Sequence, residues 1–338
     1  MIRLLLAGAG LIGRRHLAHI VEHPALSLAG VIDPSDEARA LADAPTFARA
    51  EEVDVEADGI VVATPNKTHL PMLEHAVRRG WHALVEKPIA EDLDAADRIV
   101  EIAQTSNIEV LIGHHRRHHP RAAKMKEMIA GGTLGRPVTG SLLWMMRKPD
   151  DYFAVPWRAG MDGAPVRMNL IHDVDLLRWW LGEVVDVVGL GSNMVRGAER
   201  TESGGAVLSF VSGAIVTIAF SDATPSPWGF EAGTGENPNI ATTGETAFKL
   251  AFERGAVEFP TLRVWSGSET WAEAPMARDE PVDDGVPLIR QLEHFAEVIA
   301  GRAEPLVSAR EGRATLAATL RIETETLSPT DARSAGPM

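Results

Sequence analysis

Residues 2–13 read Ile-Arg-Leu-Leu-Leu-Ala-Gly-Ala-Gly-Leu-Ile-Gly, an apolar run of strand length that ends in a glycine turn. A continuous apolar run this short suits a parallel strand buried on both faces. A helical pattern follows at once, with Leu17, Ile20 and Val21 on one side, and a second apolar run from Leu26 to Ile32 ends at Asp33. Strand, glycine turn, helix, strand and terminal acid stand at the spacing of a dinucleotide-binding unit. Gly8 permits the tight turn, Gly10 lets backbone approach a pyrophosphate, and Gly13 lets helix and strand pack closely. The helix start at Leu11 and Ile12 offers free N–H groups and the positive end of the helix dipole to phosphates. Asp33 is suited to accept hydrogen bonds from the adenosine ribose hydroxyls. Its charge disfavours a 2′-phosphate, so NAD is favoured over NADP, with Arg39 the nearest cation that bears on the choice.

The pattern repeats outward from that stretch. Gly59 to Thr64 is another buried strand, and Pro65 and Asn66 turn into a helix from Leu70 to Arg79 that Gly80 terminates. Trp81 to Val85 is the next strand and delivers Glu86-Lys87-Pro88. A helix over 92–104 and a strand over 108–112 complete a doubly wound parallel α/β sheet spanning 1–117. Ligands bind at the carboxyl ends of such strands, where Gly8, Asp33, Thr64 and Lys87 all fall. Pro65, Asn66, His69 and Glu86 flank the same ends and join them as cofactor-contact candidates. A cation at the mouth of a nucleotide-binding sheet points to chemistry on a bound substrate, which singles out Lys87.

Beyond Pro120 the periodicity changes. After a helix to Ala130, β-like runs occupy 138–147, 184–195, 204–211, 214–220, 246–252 and 256–265, with helices near 169–181, 286–300 and 309–326. Ser212-Gly213 reads as a two-residue hairpin turn. Phe248, Leu250 and Phe252 alternate as in a sheet with one buried face. The stretch 118–327 is thus expected to be an α+β domain with a large, mostly antiparallel open sheet, and 328–338 a flexible tail. The sheet's other face needs a cover, which a partner subunit would supply.

Composition bounds the function. With 338 residues, two domains are the natural expectation. No cysteine is present, which removes disulfides, thiolate nucleophiles and cysteine-ligated zinc. A net charge of −14 argues against nucleic-acid or anionic-membrane partners. No window approaches the ~18 apolar residues of a membrane span. The start lacks a signal-peptide pattern, so a cytoplasmic protein is expected.

Taken together, GAGLIGRRH at 8–16, ATPNKTHLP at 63–71, VEKP at 85–88, GHHRRHHP at 113–120 and NLIHDVDLLRWWLG at 169–182 resemble the glucose–fructose oxidoreductase/inositol dehydrogenase/MocA-like family. The resemblance implies a Rossmann domain, a C-terminal open-sheet domain that mediates homodimers or homotetramers, and NAD(P)-dependent hydride transfer on sugars, polyols or related hydroxy compounds. It also implies that Lys87 lies beside nicotinamide and substrate and that His172 is the acid/base residue. Many members carry aspartate four residues before that histidine; here the position is Met168, with Asn169 its polar neighbour. The proton relay is therefore left open at this position.

Oxidising a secondary alcohol needs a base near the hydroxyl and a donor for the developing carbonyl oxygen. Lys87 suits the donor role, against the alternative of a surface lysine at a strand end. His172 suits proton transfer near neutral pH, against the alternative of a packed histidine capping its helix. Asp175 lies on roughly the same helical side and would orient or cap. The stretch from His114 to His119 has three readings: metal binding, which Pro120 disfavours by breaking the helix that i,i+4 ligands need; a solvated basic edge; or cofactor or anionic-substrate contact by Arg116 or Arg117. Trp144, Trp157 and Arg158 are further substrate-contact candidates. No metal is expected. The leading reading is an NAD-dependent dehydrogenase of a sugar, polyol or cyclic hydroxy acid; the alternatives are a cyclic diol dehydrogenase or keto-sugar reductase, and a non-catalytic NAD sensor.

Overall fold

A computed structural model describes residues 1–327; the expected tail, 328–338, lies outside the described residues. Strands β1 (Ile2–Ala7), β2 (Leu26–Ile32), β3 (Thr46–Phe47), β4 (Gly59–Val62), β5 (His82–Val85) and β6 (Val110–Ile112) form one sheet in the order β3-β2-β1-β4-β5-β6. Every pairing in it is parallel. Leu4, Leu5 and Leu6 are all 0% exposed, as a parallel strand covered on both faces requires. Each such side chain contributes about 1.5–3 kcal/mol by burial. The order reverses between β1 and β4, so a crevice opens at their carboxyl ends.

The chain separates into two compact units, Met1–His119 with Gly285–Ala317, and Pro120–Asp284 with the remainder from Ala318. This differs from a second domain running unbroken over 118–327. The helix Pro287–Ile299 places Leu292, Phe295, Ala296 and Val298 in one core with Leu4, Leu6 and Val61 of the first unit. Its apolar stripe is legible in sequence, but the partner of that stripe is not, because periodicity identifies a buried face without identifying what buries it.

In the second unit, β7 (Pro137–Met145), β8 (Val184–Ser192), β9 (Ser203–Phe210), β10 (Ile215–Ser221), β11 (Phe248–Phe252), β12 (Gly255–Phe259), β13 (Arg263–Ser266) and β14 (Met276–Asp279) form a sheet in the order β14-β13-β12-β11-β7-β10-β9-β8. It is antiparallel except for β7 and β10, which pair in parallel. Val216, Ile218 and Phe220 of β10 and Phe248, Leu250 and Phe252 of β11 point into the core. The helix Ile171–Leu181 joins that core, with the Trp180 ring 5.5 Å from Phe248 and 5.0 Å from Phe259.

Three details depart from the sequence expectation. The run 256–265 is two strands, broken where Pro260 cannot donate to the ladder and Leu262 turns the chain at φ 56°. Four residues, 211–214, separate β9 from β10: Phe210 N bonds to Ala214 O, and Gly213 takes φ +86°. Strand β14 is an exposed edge with no alternation to announce it. Among the described residues no helix is long and apolar enough to cross a membrane.

Candidate active site

In the first unit the glycine turn is defined by what surrounds each glycine. Gly8 has φ +89°, and a Cβ there would lie 2.5 Å from Ala63 O at the end of β4. A Cβ on Gly13 would lie 1.9 Å from Gly8 O, so the helix Leu11–Glu22 seats on the turn only because Gly13 has no side chain. Gly10 differs, since a Cβ there would meet nothing within 4 Å. No side chain caps this helix, which leaves the N–H groups of its first turn facing outward. Half-buried Ile12 and exposed Leu11 stand at that turn. Asp33 is fixed at both oxygens, accepting from Ala9 N and Ser35 N, each at 2.8 Å. Arg39 donates to Asp33 O at 2.6 Å and pairs with Asp36, so its charge is already matched beside the ribose position.

At the end of β4, Thr64 Oγ1 is buried with no hydrogen-bond partner. Exposed Pro65 and half-buried Asn66 lead through a tight turn into the helix His69–Arg79. An open space before Gly10, an uncapped helix start and an orphaned hydroxyl are what a bound pyrophosphate-containing cofactor would complete. His69 is fully enclosed, with Nε2 2.9 Å from Thr64 O and Nδ1 3.1 Å from Ile89 O. It joins the turn after β4 to the turn after β5, and burial lowers its pKa.

Lys87 leaves β5 half-buried, and its own N–H donates to Glu86 Oε2 at 3.1 Å. The other Glu86 oxygen lies 2.8 Å from Nε2 of His16, which is 0% exposed. Burial pushes the Glu86 carboxyl up, but the His16 hydrogen bond and the charges of His16, His115 and Lys87 outweigh it and hold the group at about 2. A Cβ on Gly113 would come within 2.9 Å of the Glu86 carboxyl, so the glycine after β6 makes the space this side chain occupies. Sequence reasoning missed both His16 and Gly113. The signal for His16 is its place at i+3 in the stripe Gly13, His16, Leu17, Ile20, a polar residue where the helix buries its face.

The stretch from His114 to His119 is buried throughout, which overturns the solvated-edge reading. His115–His118 form one tight turn before the helix Pro120–Ala130. Arg117 pairs with Glu311 at 2.8 Å, the His118 ring lies 5.2 Å from that of His294, and Arg116 is 2% exposed. These contacts tie the chain after β6 to the returning segment 285–317. Among the described residues no group of three or more histidine, aspartate or glutamate side chains could hold a metal ion.

In the second unit His172 is the second residue of the helix Ile171–Leu181 and is 6% exposed; Asp175, one turn on, is 0% exposed. The helix is buried on almost every side. Trp180 Nε1 donates to Ala122 O at 3.2 Å, and Lys126 Nζ to Trp179 O at 2.5 Å. A π-helical turn, Val166–Leu170, precedes it and carries Met168 and Asn169. Such insertions shift the angular position of neighbouring side chains and recur at functional sites. Asn169 Oδ1 is buried with no hydrogen-bond partner. Trp144 is a core residue, 1% exposed, donating to Glu231 at 3.2 Å. Trp157 is 48% exposed, and the Arg158 guanidinium stacks 4.5 Å over Tyr152.

The same unit holds a cavity of about 480 Å³ whose walls include Arg147, Asp150, Phe153, Arg196 and Arg200. Its cations are matched from within: Asp222, 0% exposed, accepts from Arg196 at 2.9 Å and forms an ion pair with Arg200 at 2.8 Å. Both guanidiniums also stack over Phe153, at 4.8 and 4.6 Å. No periodicity in the sequence pointed to this cluster, because its members come from separate loops.

Comparison with known proteins agrees with this geometry. Residues 2–114 match the oxidoreductase family model described as an NAD-binding Rossmann fold, and residues 122–257 match the C-terminal domain model of the same family. The chain is 29% identical over 327 residues to UDP-N-acetylglucosamine 3-dehydrogenase of Acidithiobacillus ferrooxidans, covering 93% of this chain and 95% of that protein. It is 32% identical over 202 residues to inositol 2-dehydrogenase 4 of Saccharopolyspora erythraea, covering 56% of each. In fold it is similar to the WlbA dehydrogenase of Bordetella pertussis, solved with NADH and UDP-GlcNAcA, with a TM-score of 0.76, 22% identity and 96% of each chain covered. Rossmann sheet, open-sheet second unit and both family models converge on one assignment: the chain belongs to the Gfo/Idh/MocA family of NAD-binding oxidoreductases.

Proposed function

We propose that the chain oxidises a secondary alcohol of a sugar, polyol or related cyclic hydroxy compound, with the reverse keto reduction available to the same residues. The observation that carries this is Lys87, delivered by β5 to the mouth of the NAD-binding sheet with its backbone pinned to Glu86. NAD would be held by the N–H groups at 10–13, by Asp33 at the ribose and by Thr64 and Asn66, and when bound it would supply hydride acceptance. Lys87 Nζ holds the substrate hydroxyl oxygen and stabilises it as it becomes a carbonyl. His172 takes the hydroxyl proton on an imidazole nitrogen, and Asp175 keeps that ring oriented. Asn169 takes the polar place that Met168 does not fill.

The test is NADH formation against a panel of myo-inositol, aldoses, uronic acids and UDP-N-acetylglucosamine. Lys87→Ala should lose about 10³-fold in kcat/KM, and His172→Ala about 10²- to 10⁴-fold, both with unchanged NAD affinity. A Lys87→Ala enzyme turning over at the wild-type rate would sink the mechanism. Tight NAD binding with no turnover of any compound would favour a sensor.

The same reading makes the protein a cytoplasmic homodimer or homotetramer built through the second unit's sheet. Supporting it, Val188 on β8 stands opposite Val207 on β9, and both are exposed together with Leu190 and Ile215. An apolar face of this kind is normally covered. Leu190→Lys should shift the light-scattering mass in solution towards the monomer; an unchanged mass rules this face out.

A further inference from the structure

We propose that His16 and Glu86 are positioning residues for Lys87: a buried clamp through which the helix that binds the cofactor pyrophosphate fixes the turn that carries the reactive lysine. This rests on the reading of Lys87 given above. His16 is 0% exposed, and both Glu86 oxygens are already engaged, Oε1 with His16 and Oε2 with the Lys87 N–H. Both act through what they hold.

Both oxygens of the clamp's carboxylate are engaged within the first unit. A carboxylate only accepts hydrogen bonds, so His16 Nε2 carries the hydrogen across the 2.8 Å to Glu86 Oε1. Oε2 accepts the Lys87 N–H at 3.1 Å. One carboxylate thus bridges helix Leu11–Glu22 to Lys87, two residues after β5. Behind it, Gly113 leaves no room for retreat, because even a Cβ there would stand 2.9 Å from the Glu86 carboxyl. The strand ends are pinned as well, with Glu86 N bonded to Val62 O at 2.9 Å and Gly113 N to Val85 O at 2.7 Å. A carboxylate so placed is costly to bury unless paired, and losing its partner leaves it uncompensated. For fold stability alone an apolar pair would serve as well, whereas a charged bridge ending on the lysine's own N–H fixes where that lysine begins. A misplacement of about 1 Å at a reacting group can cost about 10²-fold in rate.

The experiment uses the full chain and its best alcohol substrate. His16→Leu should lower kcat about 10- to 100-fold while the dissociation constant of NAD moves less than about threefold. His16→Gln, whose amide places an N–H where Nε2 stands, should recover most of that loss. The decisive measurement is the double variant His16→Leu/Lys87→Ala, expected to be no slower than Lys87→Ala alone, since residues acting as a unit are not additive. If His16→Leu fails to fold, isosteric Glu86→Gln takes its place in the same cycle. The clamp is overturned if kcat stays within threefold of wild type in the single variant, or if the two losses multiply. A fully active Lys87→Ala would instead overturn the reading of Lys87 itself, so the two failures are distinguishable.

Discussion

The two units present their proposed functional groups in opposite ways. In the first, the groups are backbone atoms and side chains at the ends of four parallel strands, held by clearances measured in ångströms around glycines. In the second, His172, Asp175 and Asn169 come from one helix and the turn that opens it. A site assembled from strand ends is intolerant of added atoms, whatever their chemistry. A site carried on a buried helix should tolerate changes of chemistry while the helix stays packed. Stability and activity should therefore fall together in the first unit wherever an added atom meets backbone, and separately in the second unit and at a glycine that faces open space.

The largest test of that contrast lies within the glycine turn. Gly13→Ala forces a methyl to 1.9 Å from Gly8 O, a backbone atom that cannot move without displacing the turn. The variant should lose about 3 kcal/mol or more of stability and its NAD binding together. Gly10→Ala meets nothing within 4 Å, so thermal unfolding should stay near wild type. NAD affinity should nevertheless drop about 100-fold, because the methyl fills the space through which a pyrophosphate approaches the backbone. Calorimetric unfolding and NAD titration of the pair would break the argument if both variants lost stability equally.

That turn was also the most legible part of the sequence, and for the same reason. Gly8, Gly10, Gly13 and Asp33 act over short chain separations, so spacing alone fixes their relative places. His16 is nearly as local, yet its role depends on Glu86, seventy positions on, and on Gly113 beyond it. The alternating strands of the second unit were readable from Phe248, Leu250 and Phe252, while β14, exposed along its length, carried no pattern at all. Arg116 and Arg117 mark the clearest limit. Charge suggested a ligand contact or a solvated edge; both side chains are buried, and Arg117 pairs with Glu311 within the first unit, a tie that chain spacing does not announce. Long-range pairing overrides the surface expectation for a charged residue.

A smaller effect sharpens the comparison through pH. Glu86 is an ordinary carboxyl of about 4.5 when unfolded and about 2 when folded, held down by His16, His115 and Lys87 against burial. A carboxyl depressed by folding stabilises the native state above its unfolded pKa, and that stability is lost as pH falls towards the folded one. The wild-type advantage over Glu86→Gln should therefore be full above pH 4.5 and shrink between there and about 2. Chemical denaturation of both proteins across that window checks it; a difference independent of pH would mean that the carboxylate is not ionised in the fold.

The subtlest prediction belongs to the second unit. Asn169 Oδ1 is buried without a partner, and such an atom costs about 1–3 kcal/mol relative to one that is satisfied. A group kept at that cost is expected to serve activity, so Asn169→Ala should leave stability equal or slightly raised while kcat falls about tenfold. Met168→Asp restores the carboxylate common in the family, but it does so inside a π-helical turn. There the residue four before the histidine no longer lies where a regular helix would put it. If Asn169 has taken over the polar role, Met168→Asp should change kcat by less than about threefold, whereas Asn169→Asp should move the pH profile of kcat. A large gain from Met168→Asp would reverse the assignment and show that the relay still depends on the older position.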